Sequence, residues 1–218
     1  MKKRVLISVT NDLATDQRVK KVCASLYKMG YDVLLIGRKL PDSIPLDRPY
    51  PTIRMRLVFN KGALFYAEYN IRLFLLLLFS KATVFHANDL DTLLANFIAS
   101  KLRGIPLVYD SHEYFTGVPE IQNRPLVKAI WLSIEKRIFP KLSFIFTVNE
   151  SIANLYKKEY NKDLRILRNI PEKVDLKLYK TRKELGLPLS KAIVITQGAG
   201  INIDRGIEEA LEAMQYLP

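Results

Sequence analysis

The sequence predicts a doubly wound α/β fold on a parallel sheet, because apolar runs of strand length alternate with helical stretches and polar residues collect just after those runs. The first strand is Val5 to Val9. Val19, Val22, Cys23, Leu26 and Met29 then recur at helical spacing before Gly30, and a second apolar run, Val33 to Ile36, completes a βαβ unit. A strand around Ile53 to Phe59, a long helix from about Gly62 to Phe79 and a strand from Thr83 to Phe85 follow, with a helix opening near Asp89. The series continues through strand Ile105 to Tyr109, helix Leu126 to Phe139, strand Phe144 to Val148, helix Ser151 to Tyr160 and strand Leu164 to Leu167. Continuous apolar strands of this kind are buried on both faces, as in a parallel sheet covered by helices.

At 218 residues the chain amounts to about one and a half domains of ordinary size. After Asn169 and Pro171 the texture changes to a charged stretch, Glu172 to Lys183, closed by the turn residues Gly186, Leu187 and Pro188. A fresh strand is expected at Ala192 to Thr196, then a helix from Arg205 or Gly206 to about Tyr216. One βα unit cannot bury its own sheet face. The expected organisation is an α/β domain over 1–171, a linker over 172–190, and over 191–218 the first strand and helix of a second, truncated domain.

Hydrophobic residues at 49% and charged residues at 26% exclude disordered, collagen-like and disulfide-scaffold classes. A formal net charge of +12 favours an anionic partner, whether phosphoryl ligand, anionic lipid or nucleic acid. The cations are dispersed and accompany no RRM, KH or helix-turn-helix pattern, so nucleic acid is not expected. The single cysteine, Cys23, cannot form an internal disulfide, which suits a cytoplasmic protein. Val5 to Val9 is too short for a signal peptide, and Leu73 to Phe79 falls short of the roughly 18 apolar residues of a membrane span. Ala63 to Phe79, with Arg72 inside it and Arg54, Arg56 and Lys61 before it, would suit an anionic membrane surface. Leu75 to Leu78, apolar all round, suit a buried helix instead.

In an open parallel sheet ligands bind outside the carboxyl ends of the strands, so residues just after each strand are the candidates. They are Thr10, Asn11 and Asp12; His86, Asn88 and Asp89; Asp110, His112 and Glu113; and Asn149 and Glu150. Both histidines of the chain fall at adjacent strand ends. Asp89 and Asn149 also stand at helix starts, where each side chain would cap free backbone N–H groups. His86 follows an apolar run and reads as a buried core residue, whereas His112 lies in a loop with Tyr114 and Phe115 and reads as functional. Asp110 would orient that imidazole, bind a metal or end its strand. No Gly-x-Gly-x-x-Gly or Gly-x-x-x-x-Gly-Lys-Ser/Thr arrangement is present, which disfavours a nicotinamide dehydrogenase and a P-loop NTPase. His86, Asp89, Asp110, His112 and Glu113 could alternatively be metal ligands of a phosphoesterase.

Taken together, these residues resemble the N-terminal half of GT-B fold glycosyltransferases of the large retaining family 4. The likeness is carried by the helix start Asp16-Gln17-Arg18 running to Gly30, by His86-Ala87-Asn88-Asp89-Leu90-Asp91-Thr92-Leu93, by Asp110-Ser111-His112-Glu113, by Thr147-Val148-Asn149-Glu150-Ser151, and by Arg168-Asn169-Ile170-Pro171. The resemblance implies two Rossmann-like domains facing across a cleft, the first holding the acceptor and the second the nucleotide-sugar donor. It implies sugar transfer with retention and no dinucleotide or essential metal. His112 would sit beside the transferring sugar as the catalytic residue, with Glu113 and Asp110 fixing its loop. Asn11, Asp12, Asp16 and Arg18 would lie near the acceptor, as would His86, Asp89, Asn149 and Glu150. Gly198, Arg205 and Gly206 would begin the donor side, with Arg205 at the donor diphosphate.

Three positions depart from the family pattern: the first loop lacks paired glycines, Asn88 stands for a histidine, and Ala199 for a second arginine. The family's Glu-x7-Glu segment is also absent, so the chain is expected to be an acceptor half, inactive alone. Its parent would glycosylate a lipid-linked or cell-envelope glycan at the inner face of the plasma membrane. The non-enzyme alternative is a basic membrane-surface or partner-binding module. Oligomeric state is left open.

Overall fold

The computed structural model describes residues 2–171, 173, 180–197 and 206–216. The chain divides into two compact units, Met1–Asn169 and Ile170–Pro218.

The first unit is built on seven parallel strands: β1 (Arg4–Asp12), β2 (Asp32–Lys39), β3 (Thr52–Arg56), β4 (Val84–Asn88), β5 (Leu107–Ser111), β6 (Phe144–Thr147) and β7 (Arg165–Ile166). Their spatial order is β3-β2-β1-β4-β5-β6-β7. The order reverses between β1 and β4, so a crevice opens there at the carboxyl edge of the sheet. Alternation along β1 feeds two cores: Leu6 joins one, while Val5, Ile7 and Val9 join the other. The first core is covered by α2 (Gly62–Phe79), α3 (Leu90–Arg103), α5 (Pro125–Ile138) and α6 (Glu150–Tyr160). The second is covered by α1 (Gln17–Lys28), whose Val19 and Cys23 are buried.

The departures from expectation have local causes. The third strand ends at Arg56 instead of Phe59, because the N–H groups of Val58 and Phe59 donate to the Glu68 carboxylate, each at 2.9 Å, rather than to a neighbouring strand. The fifth strand starts two residues late, since α3 closes on a left-handed Gly104 and the Ile105 N–H returns to Ser100. A 3-10 turn at Phe115–Gly117 and the short helix α4 (Pro119–Gln122) fill the loop after β5. α2 is not buried all round. It seats Phe65, Tyr69, Leu73 and Leu77, at four-residue spacing, in the core and leaves Leu64, Ile71, Leu75 and Phe79 exposed. At 18 residues and a mean hydropathy of 1.4, α2 passes the length and composition test for a membrane span, although that stripe packs against the sheet.

In the second unit, residues 181–187 make a turn in which the Leu185 N–H donates to Thr181 O and the Leu187 N–H to Arg182 O. A helix, α7 (Ile207–Ala213), runs on into a 3-10 turn at Met214–Tyr216. The strand expected at Ala192–Thr196 is not formed: those residues are irregular and exposed, with no strand paired to them among the described residues.

Candidate functional site

The crevice between β1 and β4 is organised by Asp89, which follows β4 directly. Its backbone sits at φ 60°, a left-handed conformation that non-glycine residues rarely adopt. In that conformation its N–H donates to the Asp110 carbonyl at 2.9 Å, tying the end of β4 to the end of β5. The side chain is thereby freed from helix capping, for which it makes no hydrogen bond. It meets His112 instead: Oδ1 accepts the His112 backbone N–H at 2.7 Å, and Oδ2 lies 3.1 Å from ring Nδ1.

The opposite ring nitrogen, Nε2, lies 3.2 Å from Asn88 Oδ1 and 3.5 Å from Asp110 Oδ2. Burial works against a charged imidazole, but Asp89 and Asp110 outweigh it and hold His112 up to about 10. With acceptors at both nitrogens the ring is an imidazolium. Its side chain is 16% exposed, and both ring nitrogens lie against polar groups rather than hydrocarbon.

Asp110 is itself pinned from α1. Arg18 grips it bidentately, Nε to Oδ2 at 3.1 Å and a terminal nitrogen to Oδ1 at 2.6 Å, and the other terminal nitrogen reaches the Leu167 carbonyl at 2.6 Å. Burial alone would raise the Asp110 carboxyl; the hydrogen bonds from His112 and Arg18 bring it down to about 2. His86 lies behind, buried, with Nε2 4.0 Å from Asp110 Oδ2 and without a hydrogen-bond partner. Burial drives it down to about 4, so it is neutral. Its placement is that of the core residue the sequence suggested, one layer below His112.

The structure therefore brings together Arg18, His86, Asp89, Asp110 and His112. Other candidates are engaged elsewhere. Asp12 turns away to Arg54, at 2.8 Å, and to Ser43 and the Ala14 N–H; burial is outweighed by these partners, which lower its pKa. Asp16 caps α1 through the Val19 N–H at 2.9 Å and receives Asn11 Nδ2 at 3.1 Å. Asn149 is the cap of α6, accepting from the Ile152 N–H at 2.9 Å, and Glu150 pairs at the surface with Arg168 at 3.7 Å. Glu113 is exposed, and its carbonyl accepts from Ser111 Oγ at 2.7 Å. Gly206, at φ 77°, precedes α7, while Gly198 and Arg205 lie outside the described residues.

Asn88, a strand-end candidate that also departs from the family pattern, touches the His112 ring while its amide donates to Ser8 O at 2.9 Å. Asp91 is a residue that strand-end reasoning passed over. It is buried, accepts Thr10 Oγ1 at 2.5 Å, and is pushed up to about 7 by burial and by the Asp89 charge. The signal for it was present: a carboxylate inside the first turn of an otherwise apolar helix face. Among the described residues no group of three or more His, Cys, Asp or Glu side chains is placed to hold a metal ion. Asp110, which a phosphoesterase would need as a ligand, is occupied by Arg18.

Several solved structures are similar to this chain in fold. Sucrose-phosphate synthase from Thermosynechococcus elongatus superimposes with a TM-score of 0.72 at 17% identity, over 100% of this chain and 60% of that one. The chain thus spans well under two thirds of that protein. A transferase from Siraitia grosvenorii in complex with UDP gives a TM-score of 0.52 at 10% identity, over 85% of this chain and 54% of that one. UDP-GlcNAc 2-epimerase from Methanocaldococcus jannaschii gives 0.51 at 17% identity, over 77% and 45%. At such identities these likenesses establish the GT-B type of fold and not the chemistry. No curated protein sequence matches the chain significantly. The family profile of Glycosyltransferase Family 4 matches residues 16–177, which include α1 with Arg18 and the cluster of Asp89, Asp110 and His112, and the chain accordingly belongs to that family.

Proposed function

We propose that this chain supplies the acceptor side of a retaining glycosyltransferase that moves a hexose from a nucleoside-diphosphate donor to a lipid-linked or cell-envelope glycan. The observation that carries the reading is the His112 ring at the switch point. Its Nδ1 side is held short by Asp89, whereas its Nε2 side has the longer contacts, to Asn88 and Asp110. Nε2–H is the donor that an incoming sugar oxygen can capture, while the fixed positive charge favours the negative charge that develops as the bond to the diphosphate breaks. A ring held at about 10 is a poor general base, so its role is electrostatic and positional.

The solved transferase from Siraitia grosvenorii is bound to UDP, which supports a nucleoside-diphosphate donor here. Residues 191–218, including Gly198, Arg205 and Gly206, would begin the donor side, and the 218-residue chain would not turn over by itself. No dinucleotide or essential metal enters this chemistry. The net charge of +12 and the apolar outer stripe of α2 favour work at the cytoplasmic face of the membrane.

The test is to incubate the intact gene product with a panel of nucleoside-diphosphate sugars and membrane extract, and to determine the anomeric configuration of any product by NMR. Transfer with retention is expected. Hydrolysis of phosphoesters without transfer, or products of inverted configuration, would overturn the assignment.

A further inference from the structure

A second concavity lies apart from the His112 cluster, in a cavity of about 350 Å³ between α2, α3 and α5. Its walls are mainly hydrocarbon and aromatic: Tyr66 and Ala67 from α2, Leu94 from α3, and Val127, Ile130 and Trp131 from α5. Gly62 and Arg124, at the start of α2 and α5, also line it. Each of these helices follows a parallel strand and so begins at the carboxyl edge of the sheet, which is the edge that carries His112.

Two sets of contacts connect the cavity to that site. Asn70, on its wall, donates to the Asp91 carbonyl at 2.8 Å, two residues beyond Asp89. Phe115, three residues beyond His112, meets Trp131 edge-on at 5.3 Å, and Trp131 meets Tyr66 at 5.1 Å. Ile130 of this lining is itself exposed, as are Leu64 and Leu126, the sequence neighbours of the lining residues Ala63 and Val127. A hydrocarbon-lined opening of this kind on a surface points to an apolar ligand. One polar feature stands at the mouth: Arg124 is exposed, and its guanidinium makes no hydrogen bond or ion pair among the described residues.

From this juxtaposition we infer that the cavity binds the hydrocarbon chain of an anionic lipid acceptor, with the lipid's phosphate at Arg124 and its glycosylated end directed toward His112. The inference rests on the transferase reading and names its acceptor class. A neutral aglycone would fill the same walls but leave the arginine without a role, whereas a phosphate matches the guanidinium fork.

Trp131 is the only tryptophan in the chain, so its fluorescence reports on this cavity alone. The 218-residue chain should be titrated with dodecyl phosphate below its micelle concentration, with dodecyl glucoside as the neutral probe and inorganic phosphate as the headgroup alone. Dodecyl phosphate is expected to change the emission saturably, and inorganic phosphate to leave it unchanged. Arg124→Gln should weaken dodecyl phosphate by about tenfold and leave dodecyl glucoside unaffected. Ala67→Phe, which fills an exposed part of the wall, should abolish the response, and Ile130→Asp at the exposed rim should weaken it even if the first variant does not fold. No saturable change, wild-type binding in a folded Ala67→Phe or in Ile130→Asp, or an Arg124→Gln variant indistinguishable from wild type would each overturn the inference. The assay needs neither donor nor turnover. Lost binding therefore strikes the acceptor assignment alone, and intact binding with no sugar transfer strikes the transferase reading alone.

Discussion

Asp89 and His112 grip each other twice, through the ring at 3.1 Å and through the backbone N–H at 2.7 Å, and the aspartate adopts a φ of 60° to do so. This is a preorganised cation: the ring's orientation and charge are set before any ligand arrives. The two histidines should consequently behave in opposite ways. His86 is driven down to about 4 by burial, while for His112 the two carboxylates overcome burial and hold it up to about 10. Proton NMR of the wild type should show neither ring titrating near the ordinary value of 6.5. In Asp89→Asn the His112 resonance should titrate at markedly lower pH, and an unchanged midpoint would contradict the pairing.

The same pairing predicts a pH dependence of stability. His112 has a folded pKa raised above its unfolded value, so its contribution is full below 6.5 and is lost as pH rises toward about 10. Asp91 and Glu135, raised to about 7, are half titrated at neutral pH, and Cys23, raised from an ordinary value of 9.0, begins to ionise in the unfolded chain toward pH 9; each adds a slope of the same sign as His112. Between about pH 7 and 9, urea-derived stability should therefore fall as pH rises, with His112 accounting for up to about 1.4 kcal/mol per pH unit, and His112→Gln should reduce the slope by that share.

Arg18 joins α1 to Asp110 and to Leu167. Arg18→Ala would leave Asp110 buried, charged and half paired, a loss of about 3–5 kcal/mol in chemical denaturation. Arg18→Lys keeps the charge but cannot reproduce the fork, and should fall between the two.

Gly37 on β2 lies against the first loop. A Cβ there would stand 2.3 Å from Leu13 Cδ2 and 3.0 Å from the Asn11 carbonyl. Leu13 is buried, so Gly37→Ala should displace the loop and cost about 1–3 kcal/mol, measured by thermal unfolding.

The strands were legible because each is a solid apolar run, and polar residues at their carboxyl ends marked the crevice correctly as the place where Asp89, Asp110 and His112 meet. What sequence cannot display is which polar partner a side chain selects across the sheet. Asp89 reads as a helix cap because it precedes α3, yet its positive φ turns it to His112. Asp12 reads as a site residue, yet Arg54, from a strand 42 residues further on, draws it away. α2 reads as fully buried because leucine fills every position of one turn, whereas helical geometry leaves Leu75 and Phe79 outside. The run at Ala192–Thr196 has strand composition but no strand paired to it among the described residues, and composition alone forms no ladder.

A His112 imidazolium that serves sugar transfer should be felt in the transfer rate. The direct measurement is the rate of nucleoside-diphosphate release from a sugar donor by the intact gene product, for wild type and for folded His112→Ala. A fall of about 100-fold or more is expected, of the size seen when one preorganised charge-stabilising donor is removed. Release at the wild-type rate by the variant would contradict it.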